Sequence, residues 1–463
     1  MKVIMIISDT FRRDHVGTYG NRWIHTPNLD ALADCSAVFD NAFIGSYPTG
    51  PNRRDTLLGH SDRKLPFNAW RYMERNEVTI PDLLSQKKIP SQLITDVANC
   101  VTRGLNYYKG FTAWTVNRGQ EGDPVWLNDS VPLTLTCKPE MIRYPIERWH
   151  QVLMNRAHRM VETDWFAPGT FSMAINWLTQ NYRRKDFLLW IDTFDPHEPW
   201  DPPQHYIDLY DPGYNGTVYE APTYGLRKKL GITDRELQHL RARYAGEVTM
   251  VDAWVGQLVS ALQRLHIWED AAIIFTSDHG AYFDYPGDAG LICKPVQLDA
   301  SGRYLHLGQP MKPTMFFPMR PNLGRIPLIV HLPGQEETKR IAAITQPWNI
   351  MPTILELFDT QPPEACIGHS LIPIIEGKNA QERPYAFQGH SSLLGQVVNE
   401  KWLYAVWRAN EPPSLFDRKK DPYLTKNVAP KNPSVVKDLH AALLDFMKGA
   451  KTEEQYLTGW NTI

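Results

Sequence analysis

Three apolar runs constrain this chain more than any other feature, because each ends in residues that strands rarely bury. They are "KVIMIISD" (2–9), "DFLLWIDTFDPH" (186–197) and "DAAIIFTSDHG" (270–280), with weaker echoes in "SQLITD" and "RIPLIVHLPG". Continuous apolar runs of this length are strands buried on both faces. Amphipathic helices lie between them. In "YAGEVTMVDAWVGQLVSALQRL", Val248, Val251, Val255, Leu258, Val259 and Leu262 recur at three- and four-residue spacing. The pattern predicts an α/β fold with a large, mostly parallel sheet between helices. Such sheets bind ligands at the carboxyl ends of their strands. Here those ends carry Asp9, then Asp192 to His197, then Asp278 and His279.

Beyond residue 375 the texture becomes short strands and turns ("RPYAFQGH", "GQVVNEKWLYAVW", "SLFDRKKDPYL") before a helix in "PSVVKDLHAALLDFMKG". We expect a catalytic α/β domain over 1–375 and a small domain over 376–463, an antiparallel sheet plus helix. Residues 100–180, rich in Trp and Arg, and 296–322, rich in Pro, Met and Phe, lack clear periodicity and read as insertions shaping a pocket.

The chain has 463 residues and a formal net charge of −2, which lacks the concentrated positive field that nucleic acid requires. Its five cysteines form no CxxC pair, so neither a zinc ribbon nor a redox motif is indicated. The opening apolar run is too short for a signal peptide, and no run approaches the ~20 residues of a membrane span. The expectation is a cytoplasmic protein with no membrane partner.

An Asp-His pair directly after a buried strand can place two ligands on one ion. The same pair can form a strand-end turn with a capping Asp. Asp9, at a second buried strand end where an uncompensated charge is costly, favours the metal. In "FDPHEPWDPP" prolines fix the backbone on both sides of His197, which suits a group that donates a proton to a leaving oxygen.

Taken together, "ISDTFRRDHVGTYGNRWIHTPNLDALA", "PTGPNRR", "WIDTFDPHEPWDPP", "GEVTMVDAWVGQLV", "IIFTSDHG", "RIPLIVHLPG" and "MPTILELF" resemble the sulfatase branch of the alkaline phosphatase superfamily, in order and over nearly the whole length. The tail "LFDRKKDPYLTKNVA" is similar to the family's closing segment. The resemblance implies that Asp9, Asp278 and His279 bind a divalent ion, with Thr10 near a further ligand position. It implies that His197 and Lys294 contact the anion or the leaving oxygen. Arg53 matches the arginine of the Cys-x-Pro-Ser-Arg signature, where it braces the nucleophile and its anion. The Asp-His form at 278–279 is common in phosphonate and phosphodiester hydrolases of this branch.

The chain departs from the family at that signature, where "TGPNR" puts Thr49 at the cysteine. Sulfatases convert that residue to formylglycine, and threonine cannot follow because oxidising its Cβ gives a ketone. A threonine hydroxyl can still attack when its pKa is lowered, as in related nucleotide pyrophosphatases and phosphodiesterases. The family's Gly-Lys-Trp-His segment aligns with "TDVAN", where only Asn99 could hydrogen-bond an anion oxygen. Losing two cations suits a substrate with one negative charge.

The resemblance therefore implies a hydrolase with one divalent metal (Mn²⁺ favoured; Ca²⁺, Mg²⁺ or Zn²⁺ as alternatives) held by Asp9, Thr49, Asp278 and His279, and no formylglycine. Thr49 is the expected nucleophile, Arg53 and Lys294 stabilise charge, and His197 protonates the leaving group. Asn99 contacts a small anionic ester, most readily a phosphodiester or phosphonate monoester. The rival readings are a sulfate-ester hydrolase working without formylglycine and a catalytically silent anion-binding relative. Relatives are often dimers or tetramers, so a homo-oligomer is expected.

Overall fold

The computed structural model describes residues 1–61, 65–102, 104–304, 313–378, 383–408 and 411–460. Eight strands form the main sheet: β1 (Lys2–Ser8), β2 (Ala37–Ala42), β3 (Ser91–Thr95), β4 (Ala113–Val116), β5 (Phe187–Thr193), β6 (Ala271–Thr276), β7 (Leu328–His331) and β8 (Lys339–Thr345). Their order is β8-β2-β7-β6-β1-β5-β3-β4. β7 runs antiparallel to both neighbours, and every other pairing is parallel.

Because side chains alternate along a strand, each central strand feeds two cores. Val3, Met5 and Ile7 face one, with Leu188, Trp190, Ala272 and Ile274. Ile4 and Ile6 face the other, with Leu189, Ile191, Ile273 and Phe275. The second core is covered by a helix over Asp234–Arg264, opened by a capping box in which Thr233 and Glu236 satisfy each other's backbone N–H. Double-sided burial is why these strands read as unbroken apolar runs.

Four further strands, β9 (Ala386–His390), β10 (Leu394–Val398), β11 (Trp402–Trp407) and β12 (Ser414–Asp417), form the small antiparallel sheet. The helix Pro433–Gly449 packs on one face through Leu439, Leu443 and Met447. The other face sends Val398, Leu403 and Ala405 into the first main core. A bridge between Ser46 and Gly389 brings this sheet beside the segment that leads to Thr49.

Residues 100–180 hold more structure than their sequence suggests: β4, a helix over Ile146–Arg156 and a helix over Phe166–Asn181. In the 296–322 segment, Gln297–Leu298 pairs antiparallel with Met315–Phe316, while 305–312 lie outside the described residues. No helix among the described residues is long and apolar enough to cross a membrane.

Candidate active site

Parallel pairing of β6, β1 and β5 puts their carboxyl ends on one edge of the sheet, with Ile7 beside both Asp192 and Thr276. Asp9, Asp192, Asp278 and His279 are therefore neighbours despite their distance in sequence. Opposite this edge, helix α1 (Thr49–Leu58) points its first turn at them. Helix N-termini favour negative charge.

Arg53, one turn into α1, joins these parts. It grips Asp192 with Nε–Oδ2 2.8 Å and Nη2–Oδ1 2.6 Å, and its Nη1 donates to Asp9 Oδ2 (3.1 Å), Asp278 Oδ2 (2.8 Å) and the Thr49 carbonyl (3.1 Å). The guanidinium is enclosed by three carboxylates and does not reach the cavity wall. It braces the nucleophile's turn from behind, through the Thr49 carbonyl.

Asp9, Asp278 and His279 each offer a ligand atom within 4.8 Å of the others. Burial and the charge of Asp278 push the Asp9 carboxyl well up, against the pull of Arg53. Burial also disfavours a charged Asp278, but His279 and Arg53 outweigh it and hold it below the usual carboxylate range. Burial pushes His279 down to about 4, so it is neutral near pH 7. Its Nδ1 lies 2.9 Å from the Gly280 carbonyl, which can only accept, so the lone pair is on Nε2. That nitrogen faces Asp278 (3.6 Å), Asp9 (4.0 Å) and Thr49 Oγ1 (3.4 Å). Two carboxylates and one imidazole nitrogen fit a single divalent cation.

Thr10 holds this set at φ 61, a left-handed conformation unusual for a β-branched residue. Its N–H donates to Asp278 Oδ1 (2.9 Å), its hydroxyl donates to Asp9 Oδ1 (2.7 Å), and Lys294 Nζ donates to that hydroxyl (3.3 Å).

Thr49, His279, His197, Lys294 and Asn99 all line one cavity of about 510 Å³. Trp70 lies at its edge, 45% exposed. The indole crosses the first turn of α1 where a Cβ on Gly50 would come within 2.7 Å of the ring, so only glycine admits it there. His197 stacks on Phe194 with ring centroids 3.8 Å apart. Its Nδ1 is 2.6 Å from the Glu198 carbonyl, and burial pushes it down to about 3. In its neutral form, His197 therefore carries its lone pair on Nε2.

Four charged residues absent from the sequence reading belong to the wall and its backing: Glu121, Arg143, Arg148 and Glu198. Asn99 is not directed at open space; its Nδ2 donates to Glu121 Oε2 (2.6 Å). Glu121 also takes the Tyr144 hydroxyl (2.9 Å) and lies 3.3 to 3.4 Å from Arg148 and Arg143. Buried Glu198 pairs with Lys294 (3.2 Å) and Arg143. Arg143 and Arg148 thus bring two cations to a cavity in which "TDVAN" has none. Glu198 had a signal, being the one carboxylate between Pro196 and Pro199, the prolines that flank His197. Arg143, Arg148 and Glu121 had none, because only long-range packing brings them to the cavity.

A sulfatase family model matches residues 2–360, and the chain belongs to the sulfatase family. It is 23% identical over 470 residues to an arylsulfatase of Clostridium perfringens (strain 13 / Type A), covering 91% of this chain and 88% of that one. It is 28% identical over 502 residues to the multifunctional alkaline phosphatase superfamily protein PehA of Trinickia caryophylli, covering 92% and 91%. Among solved structures it resembles the phosphonate monoester hydrolase of Agrobacterium radiobacter, with a TM-score of 0.71 at 18% identity, covering 97% of this chain and 96% of that one. The protein is an ester hydrolase with the alkaline phosphatase superfamily fold. Its family generally binds a divalent metal, for which Asp9, Asp278 and His279 form a candidate site.

Proposed function

We propose that Thr49 is the nucleophile of a phosphodiesterase or phosphonate monoester hydrolase. The observation that carries this reading is the place of Thr49. It is the first residue of α1, with Oγ1 3.4 Å from His279 Nε2, on the wall of the cavity that also holds His197 and Lys294. A divalent cation held by Asp9, Asp278 and His279 would lower the pKa of a neighbouring hydroxyl and offset charge on the ester. Mn²⁺ is the favoured ion for this donor set, and the site residues, not a formylglycine, supply the attack.

Thr49 Oγ1 gives its proton to solvent water and bonds to phosphorus while the bond to the leaving oxygen breaks. Water then attacks phosphorus and releases Thr49 with its proton restored. The helix N-terminus steadies charge on the oxygens, and Lys294 supplies N–H donors. Either Lys294 or a protonated His197 can hand a proton to the leaving oxygen. With Nδ1–H committed to the Glu198 carbonyl, neutral His197 is instead prepared to take a proton at Nε2 from the second-step water. Its acid role therefore requires a proton gained first.

Thr49→Ala should abolish turnover while Mn²⁺ binding persists, and undiminished activity would sink the reading. The second reading, sulfate-ester hydrolysis by the same threonine, draws support from the arylsulfatase likeness. Parallel assays with an aryl sulfate, an aryl phosphodiester and an aryl phosphonate monoester separate the two.

A further inference from the structure

A second cavity, of about 450 Å³, opens beside the segment that follows β1 and shares no lining residue with the catalytic one. Trp23, Tyr210 and Tyr285 give it aromatic walls, and Asp14, Gln238 and Arg241 give it polar ones. Trp23 is 43% exposed, and its ring meets Tyr210 edge to face with centroids 4.8 Å apart. Asn21 fixes the turn that presents the indole. Its Oδ1 accepts the Trp23 N–H (2.8 Å) and its Nδ2 donates to the Asp14 carbonyl (2.6 Å). The Tyr210 hydroxyl accepts the His25 N–H (2.9 Å), which holds the second ring from the same loop.

His15 also lines this cavity, although the residue is only 2% exposed. Its Nδ1 lies 3.0 Å from Asp14 Oδ1. Arg12 grips the same carboxylate through Nε (2.8 Å) and Nη2 (2.6 Å). A carboxylate paired in this way accepts, so Nδ1 carries a proton. Burial pushes the imidazole below its ordinary value against the pull of Asp14, which leaves the lone pair on Nε2. That nitrogen is buried and has no hydrogen-bond partner among the described residues. A buried polar atom without a partner is unfavourable until a donor reaches it.

The charges around the cavity narrow what can supply that donor. Asp14 is already paired with Arg12 and His15. Tyr285 carries Arg241 at 3.9 Å and Arg12 at 4.9 Å from its ring centre, so a cationic ligand would meet two guanidinium groups there. An anion would face Asp14. A neutral ligand fits best, with an apolar C–H face for the indole and hydroxyls that both donate and accept. Such hydroxyls can donate to His15 Nε2 or Asp14 and accept from Arg241 or Gln238. A pyranose ring offers that face and those hydroxyls in one molecule. We propose that this cavity binds a neutral sugar ring of an oligosaccharide, packed on Trp23, at a site separate from ester hydrolysis. The assignment does not depend on which residue attacks the ester.

The test titrates the full chain with maltohexaose, cellohexaose, mannohexaose, xylohexaose and a galactohexaose, following binding by nuclear magnetic resonance. Adenosine, a planar base, and choline, a cation, are titrated in parallel. At least one oligosaccharide should bind with a dissociation constant of about 10 mM or tighter. Trp23→Ala should weaken that binding at least about tenfold, with thermal unfolding showing that the variant is folded. Should it not fold, Gln238→Ala on the exposed side of its helix decides instead, with an expected loss of about threefold or more. If no oligosaccharide binds wild type, the proposal is overturned, whether or not adenosine or choline binds. Binding that is equally strong in the folded variant places the sugar elsewhere and overturns it too.

Discussion

Arg53 and Asp192 form a two-pronged ion pair, 2.8 and 2.6 Å, buried beneath the strand ends that carry Asp9 and Asp278. Asp192 belongs to β5 and Arg53 to α1, so the pair fixes the helix that carries Thr49 to the sheet that carries the candidate metal ligands. A lysine keeps the charge but cannot make both contacts with one planar group. Arg53→Lys should cost about 3 kcal/mol of stability, the order expected when a buried pair loses a partner. Urea denaturation followed by circular dichroism measures it. Stability within error of wild type would show that the pair does not hold helix to sheet.

Thr49 tests differently, because its hydroxyl faces a cavity and supports little of the fold. Thr49→Ser should keep activity within about tenfold of wild type, since the oxygen remains at the first turn, whereas Thr49→Ala should lose at least about 1,000-fold. Neither variant should change stability by more than about 1 kcal/mol. Initial rates on an aryl phosphodiester, with thermal unfolding as control, provide the comparison. Equal loss in both variants would point to packing around the methyl group.

Much of this site was legible because the strands that build it are buried on both faces and end in charged residues. The apolar runs marked β1, β5 and β6, and their endings marked Asp9, Asp192, His197, Asp278 and His279. The C-terminal helix was equally clear, since its apolar period repeats from Val436 to Met447. Residues 100–180 were opaque for physical reasons. Ala113–Val116 is a short edge strand with mostly exposed side chains, so it has no apolar run. The helix Phe166–Asn181 carries Pro168 and Gly169 in its first turn, where they read as a turn. Arg143 and Arg148 were therefore not singled out, and the cation count of the cavity was read too low.

Asp9, Asp278 and His279 make a prediction about metal that does not depend on turnover. An ion that binds only the folded chain stabilises it, by about 2.7 kcal/mol at a concentration 100 times its dissociation constant. Scanning calorimetry should show the wild-type melting temperature rising with Mn²⁺ and falling back when a chelator is added. His279→Ala should remove most of that rise, because the imidazole supplies the one nitrogen ligand of the set. An undiminished rise in His279→Ala would place the stabilising ion elsewhere.

His197 gives a pH dependence whose sign follows from its burial. Its folded pKa of about 3 lies below the ordinary histidine value of about 6.5. Between these values the unfolded chain takes up a proton that the folded protein refuses. The stability contributed is full above about pH 6.5 and is lost as pH falls towards 3, at about 1.4 kcal/mol per pH unit. Neighbouring Glu198 acts in the same direction. Burial disfavours its charge, but His197, Lys294 and Arg143 hold its pKa below the usual range, so its contribution is also lost in acid. Comparing wild type with His197→Asn reports the pair together, because losing the imidazole also removes one of the groups that hold the Glu198 pKa down. Unfolding free energies from urea titrations across the acid range should fall less steeply in the variant, by about 1.4 kcal/mol per pH unit below 6.5. Parallel slopes would mean that the folded protein protonates His197 as readily as the unfolded chain does, near the ordinary histidine value. A proton for the leaving group would then be gained close to neutral pH.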